Sequence, residues 1–293
     1  MNAMDVLKVG IPKGSLHDAT VRLFEKAGYQ AFISSRSYNI TFDDNDLEGM
    51  LLRPQEMALY VEKGVLDFGL AGKDWVVECG ADVRTVAELV YSRATNCSAR
   101  WVLAVPEESD IWSVRDLQGK LIYTELVRVT EQWLTERGVQ AEVCFSHGVT
   151  EAKTPYLCDA IVELTETGDS LRASKLRIVD EIMETSTLLV ANHVSWEAPW
   201  KRKKIGNIAM LLRGALDAES KVGLKMNVPT SCLDEVLLVL PAMKRPTISP
   251  LTDPDWVALE TVVDTWRVRD LIPILMGIGA QDVIEYALNK VLL

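Results

Sequence analysis

Residues 163–174 read ELTETGDSLRAS, between the apolar run CDAIV and a helix-like segment LRASKLRIV that starts near Leu171. A chain leaving a strand at Glu163 must turn sharply here, and Gly168 allows the turn. The first amides of the helix that follows have no partner inside it and carry partial positive charge. Thr165, Thr167 and Ser170 add hydroxyl donors, and Glu166 and Asp169 complete the loop. Such a set can surround a phosphate monoester without a lysine. Glu163, at the strand end, could hold a sugar hydroxyl, or a magnesium ion through water. The same residues also suit an Asp/Ser helix cap after a tight turn, and taken alone they leave both readings open.

Two other turns are built alike. GIPKGS (10–15) joins a strand to a helix and puts Lys13 beside Gly14, and LAGKDW (70–75) puts Lys73 and Asp74 after Gly72. Arg53 stands just before a further helix. Three glycine-containing turns at strand ends, two with a lysine, point to a polyanionic ligand where those ends meet. Other chemistries lack their residues. His17, His147 and His193 are far apart and suit surface or packing positions, and there is no HExxH, zinc-spaced Cys/His cluster, GxSxG, Walker A or GxGxxG pattern.

The elements that must position these turns alternate in type. VLKVGI (6–11) and VLDFGLAG (65–72) read as strands, and SLHDATVRLFEKAG (15–28) as a helix with Ser15 as N-cap and Gly28 as stop. RPQEMALYVEKG (53–64) is a helix with Pro54 at its start and Gly64 at its end, and KDWVVECG is a short one. This alternation predicts an α/β fold with a largely parallel sheet. A second unit begins near Asn96, with strands at 99–106, 120–125, 141–146 and 158–164 and a helix at 128–138. Residues 178–192 read as strands returning to the first unit, which gives two lobes and a cleft between them, a favoured ligand site. Residues 198–217 form one helix with an apolar stripe, and Lys201–Lys204 read as its solvated face. The remaining residues follow a ferredoxin-like βαββαβ order, with Ser231 and Asp234 at capping-box spacing.

The chain has 293 residues and a net charge of -11, so two or three domains are expected, and general binding to nucleic acid or an anionic membrane is not. Cys79, Cys97, Cys144, Cys158 and Cys232 are scattered without a CxxC pair and read as free thiols in a reducing cytoplasm. The N-terminus lacks a signal-peptide pattern, and no run of about 18 apolar residues suggests a membrane span.

With these residues in place, DAIVELTETGDSLRASKL (159–176) closely resembles the signature of the ATP phosphoribosyltransferase family. IPKGSL (11–16), GVLDFGLAGKDW (64–75), GVTEA (148–152) and RPTISPL (245–251) are similar to other segments of that family. The resemblance implies a periplasmic-binding-protein-like core of two lobes, residues 1–95 with 180–205 and residues 96–179, plus a ferredoxin-like regulatory domain at 206–293. It implies the long form, with no separate regulatory subunit, in the first step of histidine biosynthesis. There the phosphoribosyl group of phosphoribosyl pyrophosphate moves to N1 of the adenine of ATP, with Mg2+, and pyrophosphate leaves. Thr165–Ser170 would hold the 5-phosphate and Glu163 the ribose hydroxyls. Lys13, Ser15, Arg53, Lys73, Asp74 and Glu151 would face ATP or pyrophosphate. Asn227 and Thr247 fall where a histidine inhibitor would bind, though both also suit turn capping. A cytoplasmic homo-oligomer, dimer to hexamer, is implied as well. Ser15 stands where many relatives carry arginine, and Asp169 where relatives often carry a small or hydroxyl residue. The rival reading is a two-lobed intracellular small-ligand sensor without turnover.

Overall fold

The computed structural model describes residues 6–33, 37–91, 99–241 and 245–292. Asn96 and Cys97 lie outside them; Cys79, Cys144, Cys158 and Cys232 are free thiols. The chain divides into two compact units, Met1–Glu25 with Tyr29–Ala209 and Lys26–Gly28 with Met210–Leu293.

The first unit opens with β1 (Leu7–Pro12), α1 (His17–Ala27), β2 (Ala31–Ile33), β3 (Asn39–Phe42), β4 (Leu47–Leu52), α2 (Pro54–Glu62), β5 (Phe68–Gly72), α3 (Lys73–Cys79) and β6 (Arg84–Leu89). It continues with β7 (Ala99–Pro106), β8 (Leu121–Thr124), α4 (Val127–Glu136), β9 (Glu142–Phe145), β10 (Ala160–Thr165), α5 (Asp169–Ala173) and β11 (Leu176–Thr185). Then come β12 (Thr187–Ala191), α6 (His193–Glu197) and α7 (Pro199–Glu219). Among the described residues two sheets form, in the orders β2-β3-β4-β1-β5-β12-β6 and β11-β7-β10-β8-β9. β11 pairs with β7 as far as Thr185, so the return to the first sheet comes at Ser186 rather than at 180.

The sheets are mixed rather than largely parallel. β1 is parallel to β4 and β5, and β8 is parallel to β9 and β10. β2–β3 and β3–β4 are antiparallel, as are the pairs made by β7, β11 and β12. The β3–β4 connection is too short for a crossover helix and can only reverse the chain. Buried Met57, Ala58 and Val61 of α2 pack with Leu66, Ala71, Leu188 and Val190. Trp75 of α3 packs instead into the core of the second sheet, with Trp101, Leu103 and Trp133.

Several local expectations are corrected. α1 starts at His17, so Ser15 lies in the preceding turn and is not the N-cap. α5 has five residues, because Lys175 turns left-handed (φ 56°) and the chain then enters β11. Of the run Lys201–Lys204, Arg202 and Lys203 are exposed as expected, but Lys201 and Lys204 are only partly exposed and sit in ion pairs. Lys201 pairs with Asp67 at 2.7 Å, and Lys204 with Asp44 at 2.8 Å and Asp46 at 3.0 Å. No helix among the described residues is long and apolar enough to cross a membrane.

The second unit contains β13 (Lys221–Pro229), α8 (Leu233–Val239), β14 (Thr247–Pro250), β15 (Trp256–Asp264), α9 (Thr265–Ile278) and β16 (Gln281–Ala287). Its antiparallel sheet runs β14-β15-β13-β16, the ferredoxin-like order. Leu224, Met226, Val228 and Leu259 are fully buried in a core shared with Val236, Leu271 and Leu275 of the helices. Ser231 does not form the expected box. It lies in a 3-10 turn, so the α-helix starts after Cys232, which has no side-chain cap.

Candidate active site

A cavity of about 290 Å³ lies between the two sheets of the first unit. From the candidate residues it takes Ser15, Asp74, Glu163 and Glu166, and it adds Gln55, Trp101 and Glu125. Its lining holds four carboxylates and, among the described residues, no lysine, arginine or histidine. Lys13, Arg53 and Lys73 lie exposed on the turns beside it, outside the lining. The Lys13 ammonium sits 4.7 Å from the centre of the Tyr38 ring. Glu151 lines a different cavity, with Pro106, Thr154 and Lys175.

Glu163 is half-buried near the end of β10. Burial pushes its carboxyl up to about 7, with Glu151 and Glu125 adding to the rise, while hydrogen bonds from the Thr150 side chain and the Leu164 amide oppose it.

The phosphate-type loop follows directly and closes on itself. Gly168 is left-handed (φ 80°), as the turn requires, and its amide donates to Thr165 Oγ1 at 2.8 Å. Thr167 donates to Asp169 Oδ2 at 2.6 Å, and the Asp169 amide reaches Thr167 Oγ1 at 3.4 Å. In this arrangement the Gly168 amide is taken by Thr165 and the Thr167 hydroxyl by Asp169. Thr167 and then Arg172 hold the Asp169 carboxyl below its usual range. Arg172 was missed in the sequence. Its guanidinium donates to the Thr167 carbonyl at 3.2 Å and to Asp169 Oδ1, which puts a cation over the loop. Its position four residues after the turn glycine, one helical turn on, was the available signal.

Asp74 is buried in the cavity wall, and its carboxylate ties α3 to β7 of the second sheet. Oδ2 accepts from Trp101 Nε1 at 2.7 Å and Oδ1 from the Trp75 amide at 3.0 Å, while the Asp74 amide donates to Thr185 Oγ1 at 3.2 Å. Burial raises its pKa against these hydrogen bonds. A Cβ on residue 72 would lie 2.1 Å from Asp74 Oδ1, so the joint needs Gly72. Glu78 of α3 makes a second joint, accepting the Arg128 and Val129 amides of α4, each at 2.9 Å. Gln55 makes a third, donating to Glu125 at 3.2 Å.

Among the described residues no three His, Cys, Asp or Glu side chains gather as a metal-holding group. The carboxylates of the cavity are hard oxygen donors. They suit magnesium that arrives on substrate oxygens and keeps much of its water, rather than a protein cage.

In the second unit, Asn227 and Thr247 lie on the sheet face opposite the core, two rows apart across β15. The Asn227 amide donates to Asp282 at 2.8 Å, and Thr247 is exposed.

A family model described as ATP phosphoribosyltransferase matches residues 53–214, and one described as the HisG C-terminal domain matches residues 218–290. The chain is 56% identical over 291 residues to a protein named ATP phosphoribosyltransferase from Chlorobaculum parvum, with 99% of both chains covered. It is 56% identical over 286 residues to one of the same name from Desulforudis audaxviator, covering 98% of this chain and 99% of that one. Among solved structures it is similar to a chain of the ATP phosphoribosyl transferase (HisG:HisZ) complex from Thermotoga maritima. That likeness has a TM-score of 0.62 and 27% identity, over 72% of this chain and 99% of the other.

Proposed function

The chain belongs to the ATP phosphoribosyltransferase family and is a transferase of the first step of histidine biosynthesis, and from that premise we propose how its residues carry the reaction. The cavity between the two sheets is the substrate cleft. The supporting observation is the junction at the end of β10, where Glu163 opens on the cavity and the Thr165–Ser170 loop begins within two residues.

Glu163 accepts hydrogen bonds from the ribose hydroxyls of phosphoribosyl pyrophosphate. The loop binds the 5-phosphate, and Glu166 faces the sugar from the cavity wall. For this, Thr167 must leave Asp169 and Arg172 must turn from the Asp169 carboxylate to the phosphate. Lys13, Arg53 and Lys73 neutralise polyphosphate oxygens at the rim, with Ser15 between them. Adenine N1 carries a lone pair and needs no general base. It forms the bond to C1 as the C1–O bond to pyrophosphate breaks, and that electron pair leaves with pyrophosphate. Mg2+ bound by the substrates supplies neutralising charge to the departing group. The protein contributes alignment of the two substrates and exclusion of water. Asp74, through Trp101, holds the two walls in register, and Glu151, which raises the Glu163 carboxyl, stands near the ribose end of the cleft.

Histidine is proposed to inhibit by binding the second unit. The Thermotoga maritima chain is matched almost in full by 72% of this one, and the family C-terminal model lies at 218–290. A reader of the end product carried in the same chain needs no separate regulatory subunit, and coupling between the two sites would be allosteric. A homo-oligomer is the expected assembly.

The test is pyrophosphate release with ATP, phosphoribosyl pyrophosphate and magnesium. Gly168→Val puts a β-branched residue where φ is 80°, with the new Cβ 3.2 Å from Arg172 Nη1. It is expected to weaken phosphoribosyl pyrophosphate at least tenfold while ATP binding changes less than twofold. Equal losses for the two substrates would overturn the assignment of the loop.

A further inference from the structure

The cavity between the sheets has a charge pattern that the reaction as described leaves unused. Its lining carries Asp74, Glu125, Glu163 and Glu166 and, among the described residues, no cation, while Lys13, Arg53 and Lys73 stand on the turns at its rim. A triphosphate therefore stays at the rim, and the uncharged end of the nucleotide, its base, goes inside. There it meets apolar surface from Leu16, Val90 and Trp101. Few groups are left to read its edge. Both oxygens of Asp74 are taken, by Trp101 and by the Trp75 amide, and Glu163 and Glu166 are read toward the sugar. Of the lining side chains with an amide or a carboxylate, Gln55 and Glu125 remain.

Both are held in place from outside the cavity. Glu125 occupies the turn between β8 and α4, and its neighbours Thr124 and Leu126 are fully buried. The Leu126 amide closes that turn on Thr124 Oγ1 at 3.0 Å, and Glu78 of α3 caps the helix that follows. Gln55 lies in the first turn of α2, and its carbonyl accepts from Cys79 Sγ of α3 at 3.5 Å. Gln55 Nε2 then fixes one carboxylate oxygen, Glu125 Oε2, at 3.2 Å, which leaves Oε1 to accept from a ligand in a set direction.

Adenine has one donor beside its reacting atom. The exocyclic amine adjoins N1, so an acceptor that holds the amine also aims N1. As the bond from N1 to C1 forms, the ring takes up positive charge and the amine shares it. Its hydrogen bond to a carboxylate therefore strengthens in the transition state. A 6-oxo group in the same place would set an acceptor against a carboxylate. We propose that Glu125 accepts from the exocyclic amine of adenine and so selects ATP over 6-oxopurine nucleotides, with Gln55 as the positioning residue that orients its carboxylate. The proposal rests on the reading of the cavity as the substrate cleft.

The experiment uses the full chain. Binding of ATP and of inosine triphosphate is measured by calorimetry, and pyrophosphate release is measured with ATP. Inosine triphosphate carries a hydrogen on N1, so only its binding is read. Glu125→Ala is expected to weaken ATP about tenfold, the effect of one hydrogen bond to a charged group, and to leave inosine triphosphate unweakened. It should also lower kcat, while the KM for phosphoribosyl pyrophosphate changes less than twofold. Glu125→Gln offers an amide N–H to a 6-oxo group and should bind inosine triphosphate about threefold more tightly than the parent. Gln55→Leu should weaken ATP about threefold on the parent background and less than twofold on Glu125→Ala, because the group it orients is then gone. Equal losses for the two nucleotides in Glu125→Ala would overturn the proposal, and an equal cost of Gln55→Leu on both backgrounds would overturn the role of Gln55. Parental kcat/KM in both Glu163→Gln and Glu125→Ala overturns the cleft and the proposal with it. A defective Glu163→Gln beside a parental Glu125→Ala overturns the proposal alone.

Discussion

Glu163 is held at a cost that can be read from its pH dependence. Burial takes its carboxyl from 4.5 to about 7, against two opposing hydrogen bonds. A carboxyl whose folded value exceeds its unfolded value stabilises the fold in its protonated form. That contribution is complete below about pH 4.5 and is lost as pH rises through about 7. The full shift corresponds to about 3 kcal/mol, and water reaching a half-buried group brings this nearer 2 kcal/mol. Glu163→Gln keeps the shape of the side chain and carries no charge, so the variant escapes the loss. At pH 8 it should unfold about 5 °C above the parent, and the gap should close as pH falls toward 4.5. Thermal unfolding followed by circular dichroism, both proteins side by side from pH 4.5 to 8.5, measures the gap. Other carboxylates titrate in both proteins and cancel. Parallel curves across the range, or a variant less stable at pH 8, would refute the claim that the parent holds a desolvated carboxylate there. The more stable variant should also be the poorer enzyme, because the charge that costs stability is the one that binds ribose.

Two further outcomes test the joints between the walls of the cleft. Trp101→Phe removes the donor 2.7 Å from the buried Asp74 carboxylate and should lower stability by about 2 kcal/mol in urea unfolding. A second substitution, Asp74→Asn, should recover part of that loss. Glu78→Ala uncaps α4 and should cost about 1 kcal/mol. Hydrogen exchange should speed up at the Arg128 and Val129 amides before it does elsewhere in the helix.

Much of the alternation was legible because strands buried on both faces, such as Phe68–Gly72 and Ala160–Val162, read as apolar runs bounded by turn residues. Strand direction was not, because an apolar run is the same in a parallel or an antiparallel pair. The start of α4 shows a second limit. Leu126 precedes it and cannot cap, and the cap comes from Glu78, some fifty residues earlier. Lys201 and Lys204 looked like a solvated run because their carboxylate partners, Asp67, Asp44 and Asp46, are more than 130 residues away. At the site, Gly168 and its hydroxyl neighbours were visible as a local motif. The link between the two walls was not, since Trp101 and Asp74 come together only when β7 and α3 are assembled.

The placement of β12 between β5 and β6 has a consequence for synthesis. While the ribosome is still making residues 99–185, β6 has no neighbour and β5 carries an open edge. The second sheet, drawn from one continuous stretch, can be completed first, although it is encoded later than most of the first. A nascent chain halted before Thr187 would present that bare edge to any other unfinished chain nearby. Translation pausing just short of that strand should therefore favour clumping over release of a finished protein.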